Sequence, residues 1–205
     1  MHEGVLTKQG KEIYSKLNRF KAFYLAGGTA LALQIGHRIS VDFDLFSDKK
    51  IPKNLLAETK KIFSGQTIIP SVNNADELTV FINGIKITFL KYPFPAIKSF
   101  VEYKGIKLLS IAELAATKAY TVGRRGSFKD YIDLYFLIVE KHVSLQGIIK
   151  LAEKKYDTDF NGRLFLEQLI YLEDITDLNI HFLKKPVSKK QIRKFFEMQI
   201  EKFKL

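Results

Sequence analysis

Cysteine is absent from the 205-residue chain. Disulfide staples and thiolate metal sites are excluded with it. No second histidine stands near His37 in sequence, so a zinc site there is not expected and His37 reads as structural. No apolar run approaches the length of a membrane span, and the N-terminus lacks a signal-peptide pattern. A cytoplasmic protein without a membrane partner is expected. Internal repeats and low-complexity linkers are missing too. Acidic residues are outnumbered, 22 against 33 Lys and Arg, which gives a formal net charge of +11. That excess favours a polyanionic partner such as RNA.

What the chain does hold is apolar material. With 46% hydrophobic residues and 17 Phe, it can build a real core in one large domain or two small ones. Phe23 to Ala26 is a short apolar run bounded by Gly27 and Gly28, which reads as a buried strand. The two glycines permit a tight turn and a close approach of ligand to backbone. Thr29 is placed to cap a helix over Ala30 to Ile35, whose free N–H groups and positive dipole end suit an anion. Gly36 ends that helix. The next strand, Val41 to Phe46, alternates: Val41, Phe43 and Leu45 face one way, Asp42 and Asp44 the other. Carboxylates at that spacing have Cα atoms roughly 6–7 Å apart on one face. They repel unless a cation sits between them, and Mg²⁺ or Mn²⁺ with phosphate oxygens fits that role. Arg38, just ahead of this strand, is placed for Asp44 or for a phosphate.

A strand, Gly-Gly-Thr, one short helix and then D-x-D is a spacing that resembles nucleotidyltransferases of the DNA polymerase β superfamily. The longer stretches Leu25 to Leu33 and His37 to Phe46 closely resemble the AbiEii/AbiGii abortive-infection toxin family. A second block follows: Lys118, then Arg124 or Arg125, then Lys129-Asp130-Tyr131-Ile132-Asp133-Leu134. It resembles that family's helical motif of a lysine, a basic residue and a K/R-D-x-x-D-L run. The two blocks stand in the family's order and cover roughly residues 5 to 140. The last third is helical in character without a matching motif.

The expected fold class is α+β. A small mixed β-sheet nucleotidyltransferase core with flanking helices occupies residues 1–109. A helical bundle domain that contributes to the active-site cleft occupies 110–205. Residues 7–20 form an amphipathic helix with Ile13, Leu17 and Phe20 on one side, and a further helix covers about 53–63. Thr67 to Ile69 is a short strand. Asn83-Gly84 between two alternating runs is a hairpin signal, and Gly105 sits between two more short segments. Ser110 with Glu113 is a capping box for a helix reaching Val122, and Ser127 with Asp130 has the same form. Helices are expected at about 128–141, 145–156, 161–173 and 188–204, the last opened by Ser188 and Gln191.

The resemblance implies an enzyme that uses an NTP and Mg²⁺ or Mn²⁺. Asp42 and Asp44 are then the metal ligands, and Gly27, Gly28, Thr29, Arg38, Lys118 and Arg125 contact the nucleotide. Lys118 stabilises charge on the triphosphate, with Asp130 or Asp133 orienting it. The superfamily often adds a third carboxylate on a neighbouring strand, where this chain has Lys86 and Thr88. A third acid would have to come from Asp130 or Asp133, or the chemistry rests on the metal alone. Nucleic-acid contacts are expected from Arg124, Arg125 and Lys129, and from Lys189, Lys190 and Arg193. Phe195, Phe196 and Phe203 between those last cations read as core positions of an amphipathic helix. The implied activity is transfer of NMP to an RNA hydroxyl, such as a tRNA 3′ end, by a toxin with a cognate antitoxin. A small-molecule acceptor, a protein hydroxyl and a catalytically silent binding module are the alternatives.

Overall fold

The computed structural model describes residues 1–176 and 179–203. The chain divides into two compact units, Met1–Ser110 and Ile111–Leu205. Among the described residues it holds one seven-stranded mixed sheet and eight α-helices. No helix of the described residues is long and apolar enough to cross a membrane.

The N-terminal unit is built on the sheet. Its strands are β1 (Tyr24–Ala26), β2 (Phe43–Ser47), β3 (Ile68–Asn73), β4 (Glu77–Ile82), β5 (Ile85–Lys91), β6 (Val101–Tyr103) and β7 (Ile106–Leu108). They lie in the order β3-β4-β5-β2-β1-β7-β6. β2 runs antiparallel to β1 and parallel to β5. The β4–β5 turn has Asn83 at φ 48° and Gly84 at φ 83°, the left-handed pair a two-residue hairpin requires. One face of the central strands is dry: Phe43, Leu78, Val80, Ile82, Ile87 and Phe89 are fully buried. Phe20 and Phe23 pack on Phe89 with ring centroids 4.8 and 5.1 Å away. Phe20 lies just beyond α1 (Lys8–Leu17), which buries Ile13, Tyr14 and Leu17. Each large side chain removed from water in this way contributes about 2–3 kcal/mol. The other face carries the polar residues of β2, β4 and β5, so the alternation aims them away from the core.

Three expectations in this unit are corrected. Helix α2 (Gly27–Ile35) begins at Gly27, with Ala26 as N-cap and no side-chain cap, so Thr29 sits inside the first turn and caps nothing. Val41 is 39% exposed, because the strand starts only at Phe43. β3 runs on to Asn73, where pairing with β4 resumes beyond a register shift between Pro70 and Val72. Helix α3 (Leu55–Ile62) falls within the expected span, and Gly36 closes α2 at φ 67°.

The C-terminal unit is helical: α4 (Ile111–Val122), α5 (Phe128–Val139), α6 (Leu145–Tyr156), α7 (Gly162–Ile170) and α8 (Lys189–Glu201). Leu114, Ala115, Ala116 and Ala119 of α4 are buried, and the small alanines let α5, α6 and α7 approach this central helix closely. α8 opens with a complete Ser188–Gln191 capping box and buries Ile192 and Phe196. It ends at Glu201, so Phe203 lies beyond it, and the expected end at 204 falls outside the described residues. Neither of the other two cap pairs forms. The Ser110 hydroxyl is buried with no hydrogen-bond partner among the described residues, while Glu113 reaches Lys155 on α6. Ser127 makes no side-chain cap bond, and the Asp130 carboxylate turns elsewhere. In both pairs a buried cation outcompetes the local backbone for the carboxylate.

Candidate active site

Asp44 lies on β2, with Ala26 of β1 opposite it on one side and Thr88 of β5 on the other. Its carboxylate occupies the space a Cβ on Gly27 would need. Gly27 has φ +65°, so both its conformation and its contact with Asp44 call for glycine. Gly28 has the same kind of neighbour. A Cβ there would lie 2.5 Å from the Arg38 Nη2. The Arg38 side chain is buried and donates from Nη1 to the Ile39 carbonyl at 3.1 Å.

Thr29 is 1% exposed, and its hydroxyl bonds the Ser40 Oγ at 2.8 Å and the Asp42 carbonyl. Its side chain thus ties α2 to the segment that carries Asp42. Because no side chain caps α2, the first-turn N–H groups of Gly27 and Gly28 are the donors this turn offers an anion.

Asp42 and Asp44 are half-buried and supply hard carboxylate oxygens. Among the described residues, no group of three or more His, Cys, Asp and Glu could hold a metal ion. Carboxylate oxygens are ligands of the kind Mg²⁺ takes, a cation commonly bound through one or two carboxylates and completed by phosphate and water. Thr88 does occupy the position beside Asp44, as the sequence indicates. Sequence reasoning missed what stands behind it. The Thr79 hydroxyl donates to Glu77 Oε1 at 2.6 Å and lies 3.3 Å from Thr88 Oγ1. The hairpin register that pairs Thr79 with Thr88 was the available signal.

In the C-terminal unit the second block forms one ionic frame. Lys118 Nζ lies 2.6 Å from Asp130 Oδ1 and 2.6 Å from Asp133 Oδ2. Arg125 holds the same Asp130 from outside, Nε to Oδ2 at 2.7 Å and Nη2 to Oδ1 at 2.8 Å. Lys118 is 4% exposed at its side chain, the two carboxylates 0%, and Arg125 59%. Burial pushes the Asp130 carboxyl up, but the Lys118 charge and the Arg125 bonds outweigh it and hold it below the ordinary carboxylate range. Both aspartates therefore meet Lys118.

The remaining cations divide. Arg124 stacks on Tyr120 at 3.7 Å from the ring centre and donates to the carbonyls of Tyr120 and Asp159. Lys189 donates to the carbonyls of Glu173 and Ile175, and Arg193 pairs with Glu173 and Glu197. Lys190 is exposed and Lys129 half-buried. Several of the expected RNA contacts are thus engaged within the chain.

Comparison with known proteins gives a fold first. A Helicobacter pylori structure described as a candidate nucleotidyltransferase shares the fold, with a TM-score of 0.61 at 18% identity over 96% of each chain. The antibiotic-resistance factor ANT(2″)-Ia follows with a TM-score of 0.50 at 12% identity, covering 71% of this chain and 90% of that one. Uncharacterized protein aq_aa25 of Aquifex aeolicus (strain VF5) is 33% identical over 175 residues, which is 82% of this chain and 84% of that protein. The likeness to the two solved structures is one of fold. The model of the family "Nucleotidyl transferase AbiEii toxin, Type IV TA system" matches residues 12–98 and 77–205, and the chain belongs to that family.

Proposed function

We propose that this protein transfers NMP from an NTP to a hydroxyl of RNA, such as a tRNA 3′ end, as the cytoplasmic toxin of a toxin–antitoxin or abortive-infection pair with a cognate antitoxin. The observation that carries the reading is Asp44, seated against Gly27 at the uncapped start of α2 and tied through Thr29 to the segment bearing Asp42. The acceptor oxygen bonds the α-phosphorus, the bond to the β-phosphate oxygen breaks, pyrophosphate leaves, and the hydroxyl proton passes to solvent or a base. A divalent ion held by Asp42 and Asp44 would supply charge neutralisation and a more acidic acceptor hydroxyl. The chain itself positions: the Gly27 and Gly28 N–H groups face phosphate oxygens, and Arg38 lies over Gly28 to neutralise charge there. In the helical unit Arg125 is the exposed phosphate cation, beside Lys129. The formal charge of +11 supports an RNA acceptor over a cationic aminoglycoside.

The test incubates the purified chain with labelled NTPs, total RNA and Mg²⁺. RNA should take up label, and Asp42→Asn and Asp44→Asn should lose it. Label appearing on an aminoglycoside or a protein, with RNA bare, would replace the acceptor but keep the transfer. No label on any acceptor would leave the silent binding module.

A further inference from the structure

We propose that Lys118 is a positioning residue that acts through Asp130 on Arg125, and that Arg125 is the group that meets a phosphate oxyanion. The inference rests on the nucleotidyl-transfer reading above. Its ground is a gradient of exposure along one ionic chain. Asp133 and Asp130 are 0% exposed, Lys118 is 4% and Arg125 is 59%.

Three elements build that chain. Lys118 comes from α4, Arg125 from the turn after it, and Asp130 and Asp133 from one face of α5, three residues apart. The four groups sum to zero charge. Lys118 has a carboxylate 2.6 Å away on each side, and moving it to a ligand would strand both of them in the interior. Asp130 is the shared node. It uses Oδ1 for Lys118 and Arg125, and Oδ2 for Arg125 again. An edge grip of this kind fixes the guanidinium plane, which a single contact would leave to rotate. Lys118 and Asp133 therefore keep Asp130 in place, and Asp130 aims Arg125. A planar, fixed fork suits phosphate oxygens, whether they belong to a triphosphate or to the RNA backbone.

The experiment uses the full chain, with kcat and KM read separately for NTP and RNA and folding followed by thermal melting. Arg125→Ala should lower kcat/KM by about a hundredfold, with partial recovery in Arg125→Lys. A loss in kcat or in the NTP KM assigns the oxyanion to the triphosphate. A loss confined to the RNA KM assigns it to the backbone. Lys118→Gln should lose as much as Arg125→Ala. The charge-balanced pair Lys118→Gln with Asp133→Asn should return to within about tenfold of wild type, since Asp130 still grips Arg125. A folded pair variant as inactive as Lys118→Gln would mean that Lys118 touches the reacting phosphates, and the proposal falls. It falls equally if Arg125→Ala keeps wild-type kinetics, whatever the pair variant does. Should the pair variant not fold, side-chain ¹⁵N signals of the wild-type chain decide. Tripolyphosphate should move the Arg125 Nε signal and leave Lys118 Nζ in place, and the reverse overturns the assignment. A wild-type chain that labels no acceptor but binds tripolyphosphate, with binding lost in Arg125→Ala, would sink the transfer reading alone.

Discussion

Gly27→Ala is the perturbation that tests the carboxylate site most directly. Two costs add. Alanine at φ +65° sits in the left-handed region, at about 1–2 kcal/mol. The new Cβ also falls on the Asp44 carboxylate, with Asp44 Cγ at 2.9 Å and Asp44 Cβ at 3.1 Å. Swinging Asp44 off its rotamer costs about 0.5–1.5 kcal/mol more. The stiffer unfolded chain offsets about 0.4–1 kcal/mol. The net loss is about 2 kcal/mol, or a melting shift of about 4–8 °C for a chain of this size. Misplacing Asp44 should lower turnover by about a hundredfold and raise the Mg²⁺ concentration needed for half activity. The cost should shrink in an Asp44→Ala background, where only the backbone strain and the 3.1 Å Cβ contact remain. Melting curves of wild type, both single variants and the double close that cycle. Equal cost in both backgrounds, or a Gly27→Ala enzyme with unchanged Mg²⁺ response, would refute the reasoning.

Asp42→Asn and Asp44→Asn should each abolish transfer in a chain that still melts cooperatively close to the wild-type temperature without Mg²⁺. A lowered melting point would mark that aspartate as structural instead. On salt dependence, Lys190→Glu should flatten the slope of log K for RNA against log salt by about 0.7–0.9, as one lost phosphate contact does. Arg193→Glu should change it less, since Arg193 is already paired with Glu173 and Glu197. On pH, Asp130 has a lowered folded pKa. Its stabilisation is complete above about pH 4 and is lost as pH falls through its depressed value, so Asp130→Asn should lower urea stability at neutral pH and flatten the acid limb, the two chains converging in acid. Tyr131 runs the other way. Burial, with the charges of Asp130 and Glu173, pushes its phenol up to about 12. Its contribution is complete below about pH 10 and fades as pH climbs toward 12, which melts at pH 9 and 11 would register.

Sequence periodicity carried the elements wherever packing and local chemistry agreed. Asn83-Gly84 and Gly105 mark turns because their left-handed conformations are a local property. The alternation expected to put Asp42 and Asp44 on one face reaches only Asp44, because β2 begins at Phe43 and Asp42 lies ahead of it. The capping pairs at Ser110 and Ser127 misled. Their carboxylates are drawn into the bundle by Lys155 and Lys118, 42 and 12 residues away, and no local pattern encodes that competition. Thr29 misled likewise, because Ser40 and the Asp42 carbonyl claim its hydroxyl from across the turn. The basic cluster near Lys189 looked like a surface for RNA, yet the carbonyls and carboxylates that engage most of it come from the segment before α8.

Helix α4 carries two buried ionic contacts, and their difference separates stability from function. Glu113 meets Lys155 at 2.5 Å, with side chains 0% and 1% exposed. Both ends of that pair lie in the interior, beside Thr117, Tyr156 and the stacked Tyr120. Lys118, five residues on, joins a chain that ends at the 59% exposed Arg125. A buried pair is weak evidence for stability, because apolar replacement of both partners is often neutral or stabilising. Glu113→Gln with Lys155→Met should therefore shift stability by no more than a few kcal/mol, in either direction, and leave the kinetics of transfer unchanged. Glu113→Gln alone should cost about 3–5 kcal/mol, since it leaves the Lys155 ammonium buried against an amide. A double variant that folds but loses turnover would show that the first contact also shapes the site. If the two contacts differ as their exposure says, only perturbations on the Lys118 side reach the kinetics, and they do so in proportion to how far they displace Arg125.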